Sequence, residues 1–312
     1  MKFFWITLGA AALIIVFGLA GLQKRTDVPS SKDDRIQVAA TIYPLYDFVR
    51  EVAGDYVDVH LIVPSGASPH LYEFTPRQLQ DLQGIRVLFD IGHGIDAWAT
   101  RLESVAPEMQ RVTVDKGIVL RKEAANDHEE DEHGENADGI DPHYWLHFGN
   151  ARMMVATIAE GLVAADPVHA SVYQENAVRY QKKLAEKEQE LPSLLAPLRG
   201  TRIVSLHDAW YYFSDNFGLI VAGTFEPAAG GEPTPQYLAN LRAEIKSYGI
   251  PVLFSEPQLA TPSLSSFAND EGLRLGIIDP LGGSQGRMTY LELMEYNVRS
   301  IIGAFSDIPI QQ

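Results

Sequence analysis

Val87-Leu88-Phe89-Asp90-Ile91-Gly92-His93-Gly94 is a short apolar run closed by a glycine turn. It reads as a strand buried on both faces, the kind found in a parallel sheet. Upstream, Ile36 to Ile42 is a second buried-strand pattern, followed by Tyr43-Pro44 and a helix from about Leu45 to Ala53. Val57 to Val63 alternates as a strand, with His60 placed at the surface. Thr75 to Leu82 reads as a helix with Thr75 as its N-cap and Pro76 at the first helical position. Strands alternating with helices define an α/β lobe.

Downstream the pattern repeats. After a helix from Asn150 to Ala164, Asp166-Pro167 opens a second from Val168 to Leu198, with His169 at its exposed start. Ala170, Tyr173, Ala177, Tyr180 and Leu184 recur at helical spacing, and Lys182, Lys183, Glu186, Lys187 and Glu190 fill a solvated face. Some 30 helical residues span about 45 Å, which suits a rigid strut, and Pro192 and Pro197 are expected to break or kink its end. A second α/β series follows: strands at 203–206, 220–222, 251–254 and 275–278, and helices at 209–217, 235–248, 263–271 and 289–304. The expected architecture is α/β: two lobes with small parallel sheets and flanking helices, joined by one long backbone helix. The lobes take residues 36–165 and 200–312, and the linking helix takes 166–199.

At 312 residues the chain is long enough for two domains, and 46% apolar content is that of a packed protein. A net charge of −16 argues against nucleic acid and anionic membrane surfaces and is compatible with attracting cations. Cysteine is absent, which excludes disulfides, thiolate metal sites and a catalytic thiol. Lys2, an uncharged apolar run from Phe3 to Leu22, and then Lys24-Arg25 describe an export signal or an uncleaved anchor in residues 1–25. Leu22 stands where a lipid-anchor signal needs cysteine, so that reading fails. Residues 26–35 read as a tether, and the folded part is placed outside the cytoplasm, periplasmic or membrane-tethered.

Three histidines have contexts that suit a metal ligand: His70 in Ser68-Pro69-His70-Leu71-Tyr72-Glu73, His143 in Asp141-Pro142-His143-Tyr144-Trp145, and His207 in Ser205-Leu206-His207-Asp208-Ala209. Asp279, in Ile278-Asp279-Pro280-Leu281-Gly282, is a fourth candidate. Imidazole and carboxylate are ordinary zinc donors. Taken singly, each histidine also suits a structural or surface role. Ligands this far apart need the whole fold to gather them. His207 and Asp279 each follow a strand, where α/β sheets collect ligands.

Those segments, together with His207-Asp208-Ala209-Trp210, Glu232-Pro233-Thr234 and Phe254-Ser255-Glu256-Pro257-Gln258, resemble the zinc- and manganese-binding solute-binding proteins of ATP-binding-cassette importers. The resemblance covers about residues 36 to 305 in that family's order. It implies two α/β lobes tied by a long backbone helix, with the metal in the cleft between them. It also implies His70, His143, His207 and Asp279 as ligands, a membrane permease as partner, and zinc as transported cargo rather than cofactor. Manganese members resemble this chain but carry Glu at the third position. Here His207 stands there, and three imidazoles with one carboxylate suit zinc better.

Glu123 to Asp141 contains nine Asp or Glu, His128 and His133, and no Lys or Arg. It reads as a solvated, disordered loop that also collects metal weakly. His93 and His147 are read as surface or supporting residues, and Glu256 as a partner that holds a ligand imidazole by its other nitrogen. Gly282 to Gly286 reads as a flexible turn beside the cleft. The expected function is a monomeric receptor that binds zinc and no nucleic acid. A manganese receptor, a secreted zinc hydrolase and an adhesin using zinc for stability are the rival readings.

Overall fold

The computed structural model describes residues 35–122, 139–226, 233–259 and 262–306. The N-terminal lobe contains β1 (Ile36–Ala40), α1 (Tyr43–Ala53), β2 (Val57–Leu61), α2 (Pro76–Asp81), β3 (Ile85–Asp90) and β4 (Gln110–Thr113). Its four strands are parallel in the order β2-β1-β3-β4. Two helices follow, α3 (Phe148–Ala165) and α4 (Ala170–Leu194). The second lobe contains β5 (Arg202–Ser205), α5 (Tyr211–Phe217), β6 (Ile220–Thr224), α6 (Pro235–Tyr248), β7 (Val252–Ser255), α7 (Pro262–Asp270), β8 (Arg274–Ile277) and α8 (Tyr290–Phe305). Its parallel order, β6-β5-β7-β8, repeats the topology of the first.

The local reasons are those in the sequence. Thr75 caps α2 by accepting from the Gln78 backbone, and the Gln78 side chain bonds back to the Thr75 N–H, a complete capping box. β3 is buried at every position except Arg86. β4 was not expected: Gln-Arg-Val-Thr at a sheet edge is half-solvated and carries no apolar run. Pro192 does not stop α4 outright. It lies in the last turn, where its missing N–H costs one bond, and the helix ends two residues later. Two histidines expected at the surface are partly enclosed instead. His60 sits beside Asp58 in β2, and His169 packs on Tyr56 with Nδ1 2.6 Å from an Asp166 oxygen.

The largest hydrophobic cluster runs through both lobes. It passes from Val38 and Phe89 in the first sheet through Phe48, Ile158, Tyr180 and Leu184 to Phe213, Phe254, Tyr290 and Val298. Asp47 of α1 sits inside it, and one of its oxygens accepts from the Tyr180 hydroxyl at 3.1 Å and the Tyr290 N–H at 2.8 Å. A close-packed interior of this kind resists shear. The lobes therefore cannot swing apart as independent domains without opening their common core, and mobility near the site is left to loops.

Candidate metal centre

His70 lies in the 3-10 turn Pro69–Leu71, which the Trp98 indole pins by donating to the Pro69 carbonyl at 2.9 Å. His143 stands just before the 3-10 turn Tyr144–Leu146. Its backbone N–H donates to Asp141 Oδ1 at 2.9 Å, and its Nδ1 lies 3.0 Å from the same oxygen. An oxygen already accepting a backbone N–H is the acceptor for Nδ1–H as well, so this partner sets the tautomer and leaves Nε2 as the coordinating atom. His207 lies two residues beyond β5. Its Nδ1 is 2.8 Å from Glu256 Oε1, the atom that also accepts the Trp210 indole N–H at 2.7 Å.

The fold brings these three imidazoles together: one ligand atom of each lies within 4.8 Å of the others. The Nε2 atoms of His70 and His143 are 3.3 Å apart. Zinc–nitrogen bonds of about 2.0–2.1 Å in a tetrahedron put neighbouring nitrogens about 3.3–3.4 Å apart. The pair therefore already has the spacing of two zinc ligands.

Electrostatics favour neutral imidazole. Burial, followed by the neighbouring His207 and His70, holds the His143 pKa well below its usual value. Burial also pushes the Asp141 carboxyl up to about 7, against the backbone N–H of His143 that favours its anion. The Asp141–His143 contact is thus a hydrogen bond that sets ring orientation rather than a strong ion pair. Only a neutral ring offers a lone pair to a cation, so the site is poised to bind without first losing a proton from His143. The space among the rings is about 10 Å³, lined among others by Ser68, Ile95, Trp145, Gln258 and Leu281. That is room for an ion or one water.

Asp279, two residues past β8, is not in this group. Its Oδ1 accepts from Gln258 Nε2 and from the backbone N–H groups of Leu281 and Gly282, and its Oδ2 is 3.3 Å from Arg287 Nε. His93 pairs with Asp115, and His147 accepts the Gly149 N–H at the start of α3; neither joins the cluster. His128 and His133 lie outside the described residues. Glu256 was legible as a partner to a ligand imidazole. Asp141 was in plain view two residues before His143, but its role was not. Gln258 and Arg287 carried no signal, because their importance comes only from where loops of the second lobe meet. Among the described residues no helix is long and apolar enough to cross a membrane.

Known proteins are similar to this chain in sequence and fold. The manganese-binding lipoprotein MntA of Halalkalibacterium halodurans is 26% identical over 300 residues, covering 94% of this chain and 96% of the relative. The high-affinity zinc uptake system protein ZnuA of Bacillus subtilis is 25% identical, covering 93% and 94%. A crystal structure of ZnuA superposes with a TM-score of 0.76 at 26% identity, covering 87% of this chain and 99% of that one. A zinc-bound ZnuA lacking residues 138–173 of its own chain superposes at 0.74 with 25% identity, covering 89% and 100%. With the family model for zinc-uptake complex component A, periplasmic (ZnuA), matching residues 38–304, the chain belongs to that family.

Proposed function

We propose that this protein is an extracytoplasmic receptor that captures Zn²⁺ and hands it to the membrane permease of an ATP-binding-cassette importer. The observation that carries the reading is the convergence of His70, His143 and His207 from both lobes on one ion-sized space. Asp141 and Glu256 behind two of the rings supply the orienting carboxylates that metal-bound imidazoles use. Zinc is favoured over manganese because three imidazoles form a borderline donor set, whereas manganese prefers oxygen. The manganese-binding name of one relative keeps the second metal as the alternative within the same function. Asp279, expected as a fourth ligand, lies outside the imidazole group and is engaged by Gln258 and Arg287, so the reading rests on the three histidines alone.

A hydrolase reading fits less well. Organic substrates need pockets of several hundred Å³, and the space at the imidazoles is about 10 Å³. Binding and release, not catalysis, suit a site of this size. On this reading the chain acts as a monomer, without nucleic acid, with residues 1–25 as export signal or anchor and 26–35 as tether. Its acidic segment 123–141 gathers cations weakly.

Competition between zinc and manganese for the metal-stripped protein tests the proposal, with His207→Glu run beside it. One zinc held tightly, weakened by the variant and displacing manganese, is the expected result. A protein that holds no divalent ion tightly would return the histidines to structural roles.

A further inference from the structure

Asp279 is 1% exposed, and both of its oxygens are engaged. Three donors saturate Oδ1: Gln258 Nε2 at 2.8 Å and the N–H groups of Leu281 and Gly282, each at 3.0 Å. Its backbone is pinned as well, because Asn297 of α8 both accepts from the Asp279 N–H at 2.8 Å and donates to its carbonyl at 2.7 Å. Oδ2 faces Arg287 Nε at 3.3 Å. Asp279 stands outside the group of ligand atoms that lie within 4.8 Å of one another, so its carboxylate has to shift, against this contact, to join an ion held by the three imidazoles.

Arg287 is itself held in place. Nε and Nη2 reach Ser284 Oγ at 3.0 and 2.6 Å, and the guanidinium lies 4.4 Å from the centre of the Tyr296 ring. The loop that carries it closes on itself through Gly283 N–H to the Arg287 carbonyl and Arg287 N–H to the Ser284 carbonyl, both at 2.8 Å. It is also tied to the first lobe, where the Tyr43 hydroxyl donates to the Met288 carbonyl at 2.9 Å. The guanidinium is a permanent cation, a planar fork suited to holding a carboxylate oxygen.

We propose that Arg287 is a specificity-determining residue: by holding the Asp279 carboxylate it leaves the ion three imidazoles and no carboxylate, and so discriminates against hard cations such as manganese. The inference rests on the metal-receptor reading above. Zinc lies near the top of the divalent affinity series and is well served by nitrogen donors. Manganese lies at its foot and depends on oxygen ligands. Withholding one carboxylate therefore costs manganese more than zinc.

The test is zinc and manganese affinity, by chelator competition, for the wild type, Arg287→Met, Asp279→Asn and the double variant. Arg287→Gln is carried in parallel as a replacement that keeps a hydrogen-bond donor near Ser284, so the reading does not hang on one variant's folding. The expected result is a manganese affinity raised by about tenfold or more in the arginine variants, with a smaller gain for zinc. Asp279→Asn alone should leave zinc affinity within about threefold of wild type, and the double variant should lose the manganese gain. Removing a nearby positive charge would by itself raise both divalent ions equally and survive Asp279→Asn; that pattern overturns the inference. So does a tenfold loss of zinc affinity in Asp279→Asn alone, which would make Asp279 a ligand already. A wild type that binds no ion tightly overturns the receptor reading and the inference together, whereas the other two failures leave the receptor reading standing.

Discussion

The indole N–H of Trp145 donates to the Pro280 carbonyl at 2.8 Å, joining the loop of His143 to the loop that follows β8. The Trp145 ring lies 5.2 Å from the His143 ring, centroid to centroid, and is fully buried. One side chain thus sets the spacing between a histidine from the first half of the chain and the loop that begins at Asp279.

Trp145→Phe keeps most of the apolar volume and removes that donor, leaving the Pro280 carbonyl buried without it. The expected cost is ~1–3 kcal/mol in urea-induced unfolding. Zinc affinity should fall as well, because the two site loops lose their common tether. Unchanged stability and affinity would show that the bond is incidental.

Glu256→Gln tests the orienting role. Glutamine still offers an oxygen to Trp210 Nε1 but weakens the charge-assisted bond to His207 Nδ1. Loss of such a partner typically lowers metal affinity about 10–100-fold. Circular dichroism of the metal-free protein should stay as in the wild type, separating a binding defect from a folding one.

The lobe junction should show a pH signature through Asp47. Burial pushes this carboxyl from 3.8 to about 6, although the Tyr290 N–H and Tyr180 hydroxyl favour the anion. A carboxylate raised on folding is harder to ionise in the native state. Its ionisation therefore erodes stability as pH rises from about 4 through 6, and the full cost is present above 6. Asp47→Asn keeps an oxygen to accept both bonds and carries no charge. Its melting temperature relative to wild type should be higher at pH 7.5 than at pH 4.5 by about 2–5 °C. A difference that does not change with pH would mean the carboxylate is stabilised in place.

Gly283 meets the first lobe so closely that an added Cβ would lie 2.3 Å from Ser65 Oγ and 2.5 Å from the Tyr43 ring, at a φ of +79°. Gly283→Ala therefore combines steric overlap with backbone strain. We expect a loss of ~2–4 kcal/mol in chemical unfolding and faster hydrogen exchange in the 282–288 loop. A neutral substitution would show that this loop does not clasp the first lobe.

Much of this molecule is written locally. Strands such as Val87 to Asp90 are short, apolar and ended by glycine, and Thr75-Pro76 with Gln78 spells a helix start, so their elements fall within a few residues of expectation. His70, His143 and His207 stood out because Pro69, Pro142 and the end of β5 fix them in turns and strand ends where ligands gather. The edge strand β4 was missed because half-solvated strands lack an apolar run. The environment of Asp279 was also hidden: its partners Gln258, Asn297 and Arg287 come from three separate segments. No spacing rule connects them. Sequence supplies the donors, but the tertiary fold decides which of them is available.

The most direct test of the central claim is X-ray absorption at the zinc edge on the protein loaded with one equivalent of Zn²⁺. Imidazoles from both lobes holding one ion predict about three histidine nitrogens at about 2.0–2.1 Å, with their outer-ring scattering resolved. A shell dominated by carboxylate oxygen, or zinc that washes off at one equivalent, would contradict it.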